Sequence, residues 1–372
     1  MGTNPSADEI IQAYPTAHQT NCDMVQTAGG TFFDLFAKKG RDEWAEVEKI
    51  ITHFSKHNVK QSALVRGDFL FGYEPYSYDV VEGVILEFAK MGINVFHNFH
   101  GMNDHIPLIG VCEAVKKAKD SQLTKVHTRD YISKIKNGNL SNKEEKILGL
   151  PWSETLSKRS YLAVNGTYLT AKLALINGIA CHLAGGTHHA HTNYGSGFCV
   201  YNDLAYAAKN IISDGKCKKV LIIDCDVHQG DGTAEICKND TNIFTCSIHA
   251  TNNFPSIKAE SDLDIGLDDT ISDENYLEKI KFALATCSKN IEPDLVLYDA
   301  GADVHKNDKL GRLNISSKCI LERDLEVLNF FKRKDIPVAT VIGGGYSTDN
   351  IELAERHTLI FHAAAQIFTS KA

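Results

Sequence analysis

The sequence predicts an α/β protein: a three-layer sandwich around a mainly parallel sheet, preceded by N-terminal βα units whose packing the sequence does not fix. Two observations carry this. Short, continuously apolar runs recur along the chain, and helix-period segments lie between most of them. Strands that lack polar alternation are covered on both faces, which is the habit of a parallel α/β sheet. A third observation bears on function. Polar residues collect just past the ends of the apolar runs, where parallel sheets bind their ligands.

In chain order, SALVRG (62–67), INVFHNF (93–99), GIACHLAG (178–185), VLIIDCD (220–226), NIFTCSIH (242–249), DLVLYDAG (294–301) and PVATVIGGG (337–345) read as strands. YDVVEGVILEFAKMG (78–92) and GTYLTAKLALINGI (166–179) read as helices between them. The apolar fraction of 43% supports a sizeable core. No run approaches the 18 or so apolar residues of a membrane span. The net charge of −8 argues against a nucleic-acid surface, and KCKK (216–219) reads as a solvated turn. The ten cysteines form no CxxC, and several sit inside apolar runs as small hydrophobes. With no apolar leader in MGTNPSADEIIQAYP, the expected setting is the reducing cytoplasm.

VLIIDCDVHQGDGTAEI (220–236) is unusual, because it runs apolar residues directly into Asp224, Asp226, His228 and Asp231. Buried carboxylates require partners or a metal. Asp226 and His228, two apart on an extended backbone, share a side and make a partial zinc site. A third ligand must come from another strand end, where DLVLYDAGADVH offers Asp299, Asp303 and His305; Asp303, in the turn past the strand, suits the role. GGTHHAHTNYGSGF (185–198) supplies His188 and His189, which diverge too much to chelate together but can edge a cavity and handle protons. Asp224 and Asp231 are enough for one orienting carboxylate each. GGGYS (343–347) presents Tyr346, a phenol able to donate to an oxyanion. His191, His249 and His305 read as structural or rim residues.

HLAGGTHHA, GFCVYNDLAYAA, VLIIDCDVHQGDGTA, LYDAGADVHKNDKLGRL and VIGGGYS occur in the order seen in the zinc-dependent histone deacetylase family. The chain resembles its bacterial, class IV-like members over residues 121–368. The resemblance implies an arginase/deacetylase-like fold and hydrolysis of acetyl or other short acyl groups on lysine side chains, in proteins or small molecules. It implies Zn2+ on Asp226, His228 and Asp303. It implies His188 backed by Asp224, His189 backed by Asp231, and Tyr346 as the oxyanion donor. Gly197, Phe198, Phe254 and Leu310 match the acyl-lysine tunnel and its rim. Asp224, Asp226, His228, Ser247 and Ile248 match an inner monovalent-cation site for K+. An arginase-type two-metal centre is excluded, since Gly230 stands where a bridging carboxylate is needed. Acetylpolyamine deacetylation, or a weakened fusion protein with an intact zinc site, is the alternative.

Residues 28–117, including GGTFFDL, DEWAEVEKI and ALVRGDFLFGYEPYSYDVVEGVILEFAKMGINVFHNFHGMND, resemble part of the carboxyltransferase barrel of pyruvate carboxylase and oxaloacetate decarboxylase. That family's metal ligands are missing and two or three βα units close no barrel, so the segment is expected to be catalytically silent. The domain boundaries read as an irregular 1–27, a carboxyltransferase-like 28–120 and a deacetylase-like 121–372. The two N-terminal strands are expected to replace edge strands of the deacetylase sheet.

Overall fold

A computed structural model describes residues 7–8, 11, 24–29, 42–55, 60–65, 70, 76–98 and 122–368. The chain divides into two units, Met1–Ser121 and Gln122–Ala372.

In the first unit, β1 (Met24–Gly29), β2 (Lys60–Val65) and β3 (Val95–Asn98) form a parallel sheet. Helix α1 (Glu43–Ser55) buries Val47, Ile50, Ile51 and Phe54. That spacing places all four on one face of a 3.6-residue helix. Helix α2 (Tyr78–Met91) buries Val81, Ile85 and Phe88 on the same logic, and Gly92 ends it in the left-handed region at φ 112°. The expectation for these strands is corrected. Among the described residues both predicted strands pair within this three-stranded sheet, and neither pairs with a strand of the six-stranded sheet. β1, which the sequence reading did not foresee, and β3 take the two hydrogen-bonding edges of β2.

The second unit is built on six parallel strands in the order β4–β9–β8–β5–β6–β7. They are β4 (Ile179–Cys181), β5 (Val220–Asp224), β6 (Ile243–Ala250), β7 (Leu263–Leu267), β8 (Leu295–Asp299) and β9 (Val338–Val341). Helices α3 (Arg129–Asn137), α4 (Asn142–Leu148), α5 (Glu154–Asn177), α6 (Asp203–Ser213), α7 (Asp231–Cys237), α8 (Asp273–Asn290), α9 (Ser317–Lys332) and α10 (Asn350–Phe368) accompany them.

Strand periodicity sorts the core into two layers. Val220 and Ile222 of β5, with Leu295 and Leu297 of β8, pack with Val164, Ala171 and Leu204 of α5 and α6. Their alternates Leu221, Ile223, Val296 and Tyr298 pack with Ile280, Val327 and Ile360 of α8, α9 and α10. Both faces of the sheet are therefore dry, which explains the unalternated apolar runs. Truncating Ile222 or Leu297 to Ala costs about 2–5 kcal/mol.

Every strand of this sheet points its carboxyl end the same way, so β4, β9, β8, β5 and β6 deliver their following loops to one rim. Arg323 of α9, fully buried, fixes that rim from below. It donates to the carbonyls of Gly301 at 2.8 Å, Ala300 at 3.2 Å and Cys225 at 3.3 Å, and pairs with Asp324 at 2.9 Å.

Candidate active site

β5 ends at Asp224, and the chain bends through Asp226–His228 before α7 begins at Asp231. The two side chains thus converge through a bend and not, as expected, along a strand. The His228 amide donates to Asp226 Oδ1 at 2.9 Å, and that short-range bond folds the two residues together. Asp303 arrives from the loop after β8, with its Oδ1 accepting from the Val227 amide at 2.8 Å. Asp226 Oδ2 accepts from the Gly344 amide at 2.7 Å.

Asp226, His228 and Asp303 are buried and offer ligand atoms within 4.8 Å of one another. His228 Nδ1 lies 3.0 Å from Asp226 Oδ1 and 3.1 Å from Asp303 Oδ2. One ring N–H cannot serve two carboxylates well, whereas one cation can serve all three groups. Without a cation, burial disfavours the imidazolium of His228, but Asp226 and Asp303 outweigh it and push its pKa up to about 10. Asp303 is pushed up to about 7 by burial and by Asp226. Two hard oxygens and one nitrogen, dry and preset, suit a divalent ion such as zinc.

The loop after β4 carries the histidine doublet. His188 Nδ1 donates to Asp224 Oδ2 at 2.7 Å, and His189 Nδ1 to Asp231 Oδ1 at 2.6 Å. Their ring centroids are 4.2 Å apart, and that of His189 lies 5.8 Å from that of His228. Burial lowers the His189 pKa to about 4, helped by the positive field of His188, so its ring stays neutral. Burial also opposes charge on His188, but Asp224 and Asp226 outweigh it and raise its pKa well above the usual range. Asp299 is buried, and neither of its carboxylate oxygens has a hydrogen-bond partner among the described residues. It lies 4.0 Å from His188 Nδ1, and burial and Asp224 hold its pKa well above the carboxylate range.

Glycine at 230 has a steric cause: a Cβ there would sit 2.3 Å from Asp224 Oδ2. Glycine at 344 is required likewise, since a Cβ would meet Asp303 Oδ2 at 2.3 Å.

Aromatic residues surround the mouth. The Phe254 ring stands edge-on to His189 at 4.8 Å, and Phe198 lies 6.2 Å from Tyr346, whose ring is 6.5 Å from His228. Phe198 is held at φ 67° behind Gly197 at φ 51°, and its amide donates to the Leu148 carbonyl at 2.8 Å. Phe198, Phe254 and Leu310 are each nearly half exposed, as an open wall requires. Ser247 and Ile248 lie buried at the end of β6, with Ser247 in register with Asp224. His249 and His305 hold local serines, Ser247 and Ser317, at 3.0 Å each.

Sequence reasoning assigned no role to three positioning groups. Asp203 binds the Gly186–Thr187 turn, and Asn202 donates to the carbonyls of His188 and Ala190 at 3.2 Å. Asp308 accepts from the Tyr346 amide at 2.7 Å and from the buried Arg356 at 3.3 Å. The polar pair in VYNDLA, set inside apolar text, was the available signal for Asn202 and Asp203.

Comparison with known proteins places these features. The sequence model of a family described as histone deacetylase domain matches residues 94–360. An uncharacterised protein of Picosynechococcus sp. is 46% identical over 243 residues, 65% of this chain and 81% of that one. Histone deacetylase 2 of Arabidopsis thaliana is 30% identical over 66% of this chain and 67% of its own length. The acetoin utilization protein AcuC of Staphylococcus aureus is 34% identical over 58% of this chain and 60% of its own. In three dimensions the chain is similar to a histone deacetylase homologue from Aquifex aeolicus, with TM-score 0.57 and 23% identity over 67% of this chain and 75% of that one.

Proposed function

The chain belongs to the histone deacetylase family of hydrolases, and from that premise we propose that it removes acetyl or other short acyl groups from lysine side chains by zinc-dependent hydrolysis. The observation that supports this reading best is the convergence of Asp226, His228 and Asp303 beside two histidines, each backed by its own carboxylate.

Asp226, His228 and Asp303 would hold Zn2+, which when bound polarises the acyl carbonyl and acidifies the attacking water. His189, neutral and with its Nδ1–H committed to Asp231, has Nε2 free to accept the proton of that water and return it to the departing amine. His188, oriented by Asp224, supplies positive field beside the reacting carbonyl. Tyr346 keeps its phenolic proton, because burial and the carboxylates of Asp226 and Asp303 raise its pKa, and can donate it to the oxyanion. Phe198 and Phe254 flank the apolar lysine stem, with Gly197 and Leu310 at the rim. Asp224, Asp226, His228, Ser247 and Ile248 would form the proposed K+ site. Catalysis falls to the proposed domain 121–372. The buried free thiols suit a reducing cytoplasmic setting, and no helix among the described residues is long and apolar enough to cross a membrane.

A fluorogenic acetyl-lysine peptide, assayed with chelator and zinc arms, tests the proposal. The His189→Ala protein should lose turnover and keep zinc. Turnover that survives either the substitution or exhaustive chelation would overturn it.

A further inference from the structure

His191, expected to be a structural residue, sits between two carboxylates. Its Nδ1 lies 2.6 Å from Glu235 Oε2 and its Nε2 3.2 Å from Asp231 Oδ2. Asp231 meanwhile gives its other oxygen, Oδ1, to His189. Ionised carboxylates only accept hydrogen bonds, so His191 satisfies both contacts only with both ring nitrogens protonated. The ring is buried and stacks on Tyr194 at 4.4 Å with an interplanar angle of 13°. Its carbonyl accepts from His127 Nδ1 at 2.9 Å, which fixes its backbone. Glu235 is half exposed, so the chain Glu235–His191–Asp231–His189 runs from solvent to the reacting centre.

We infer that His191 is a positioning residue for hydrolysis: doubly protonated, it holds one oxygen of Asp231 so that the other stays on His189, with Glu235 anchoring it from the solvent side. This deepens the proposed reaction and rests on His189 acting as its base. The contact has a clear physical purpose. A carboxylate with one buried oxygen unheld can rotate, and His189 would then lose the alignment its proton transfer needs. The groups facing this network are Asp231 and Glu235 on α7, the neutral ring of His189 on the same loop, and Lys258, whose ammonium acts on Asp231.

The test is a double-mutant cycle on the full chain loaded with zinc, read as kcat and KM for an acetyl-lysine peptide. His191→Phe keeps the stack on Tyr194 and removes both donors. It should lower kcat about tenfold, with KM within twofold and zinc content unchanged. In an Asp231→Asn background the same change should alter kcat less than twofold, because its route is already cut. Equal losses in both backgrounds, an effect on KM alone, or no loss would overturn the inference. Should His191→Phe fold poorly, Glu235→Gln at the exposed end replaces it, with a two- to threefold loss expected that vanishes in Asp231→Asn. Nitrogen NMR of the His191 ring gives a readout independent of turnover. Two protonated nitrogens at neutral pH are expected, and a neutral ring refutes the inference. A wild-type chain without zinc-dependent turnover would sink the proposed reaction, while the ring spectrum would still decide the state of His191.

Discussion

Asp203 offers the sharpest test of how the histidine loop is built. Its carboxylate, fully buried, accepts from the Gly186 amide at 3.1 Å, the Thr187 amide at 2.7 Å, the Thr187 hydroxyl at 2.7 Å and the Thr167 hydroxyl at 2.6 Å. Asp203→Asn keeps one acceptor oxygen and turns an NH2 toward the remaining donors. At about 1.5–3 kcal/mol for a hydrogen bond to a charged group, with partial relaxation, the loss is about 3 kcal/mol. For a domain of this size that is a fall of roughly 8 °C in Tm. The same turn presents His188 and His189, so a displacement of about 1 Å would also cost on the order of a hundredfold in kcat. Circular dichroism melting of the zinc-loaded variant, alongside peptide turnover, reads both effects. A Tm within 2 °C or so of wild type together with kcat within about twofold would refute the reasoning.

Further outcomes follow from other groups. His127 donates from Nδ1 to the His191 carbonyl and accepts at Nε2 from the Asn202 amide at 3.0 Å, so it is neutral in the fold; burial lowers its pKa from 6.5 to about 4. The unfolded chain therefore binds a proton first as pH falls, and stability present above pH 6.5 is lost toward pH 4, by about 3 kcal/mol; denaturant melts at several pH values should show this slope, and His127→Gln should flatten it. Tyr346→Phe removes the proposed oxyanion donor and should reduce kcat by about 10²–10³ with KM little changed, as steady-state kinetics would show. Zinc taken up at the proposed site would displace the proton that Asp226 and Asp303 hold on His228, whose pKa they push up to about 10. Calorimetry in two buffers of different ionisation heat should then detect proton release on uptake at neutral pH, with affinity rising as pH rises. Gly344→Ala drives a Cβ to 2.3 Å from Asp303 Oδ2 and should weaken zinc retention by tenfold or more in a chelator competition.

Much of this site was legible in the chain because its signals are local. Asp224, Asp226 and His228 follow a fully buried strand, where bare charge has no cheap explanation. His188, His189 and Tyr346 follow glycine turns at other strand ends, and a parallel sheet gathers such ends on one rim. What could not be read depends on distant partners. Asp203 looks like an ordinary helix-start acid until its loop, 16 residues back, is folded onto it. Arg323 sits in a plain amphipathic helix, and only the topology brings the carbonyls of Cys225, Ala300 and Gly301 to its guanidinium. β7 was missed because LDIGL is short and flanked by acids, as an edge strand often is. β1 was missed as well, and with it the sheet that β2 and β3 form. The resemblance of residues 28–117 to a carboxyltransferase rests on sequence text, and the match to the deacetylase family begins inside that stretch, at residue 94.

Metal analysis of the purified chain bears most directly on the whole account. The account predicts about one zinc per chain, lost on Asp303→Ala, with acetyl-lysine hydrolysis abolished by chelation and restored by added zinc. A chain that takes up no divalent metal, or that hydrolyses the peptide equally well after complete chelation, would contradict it.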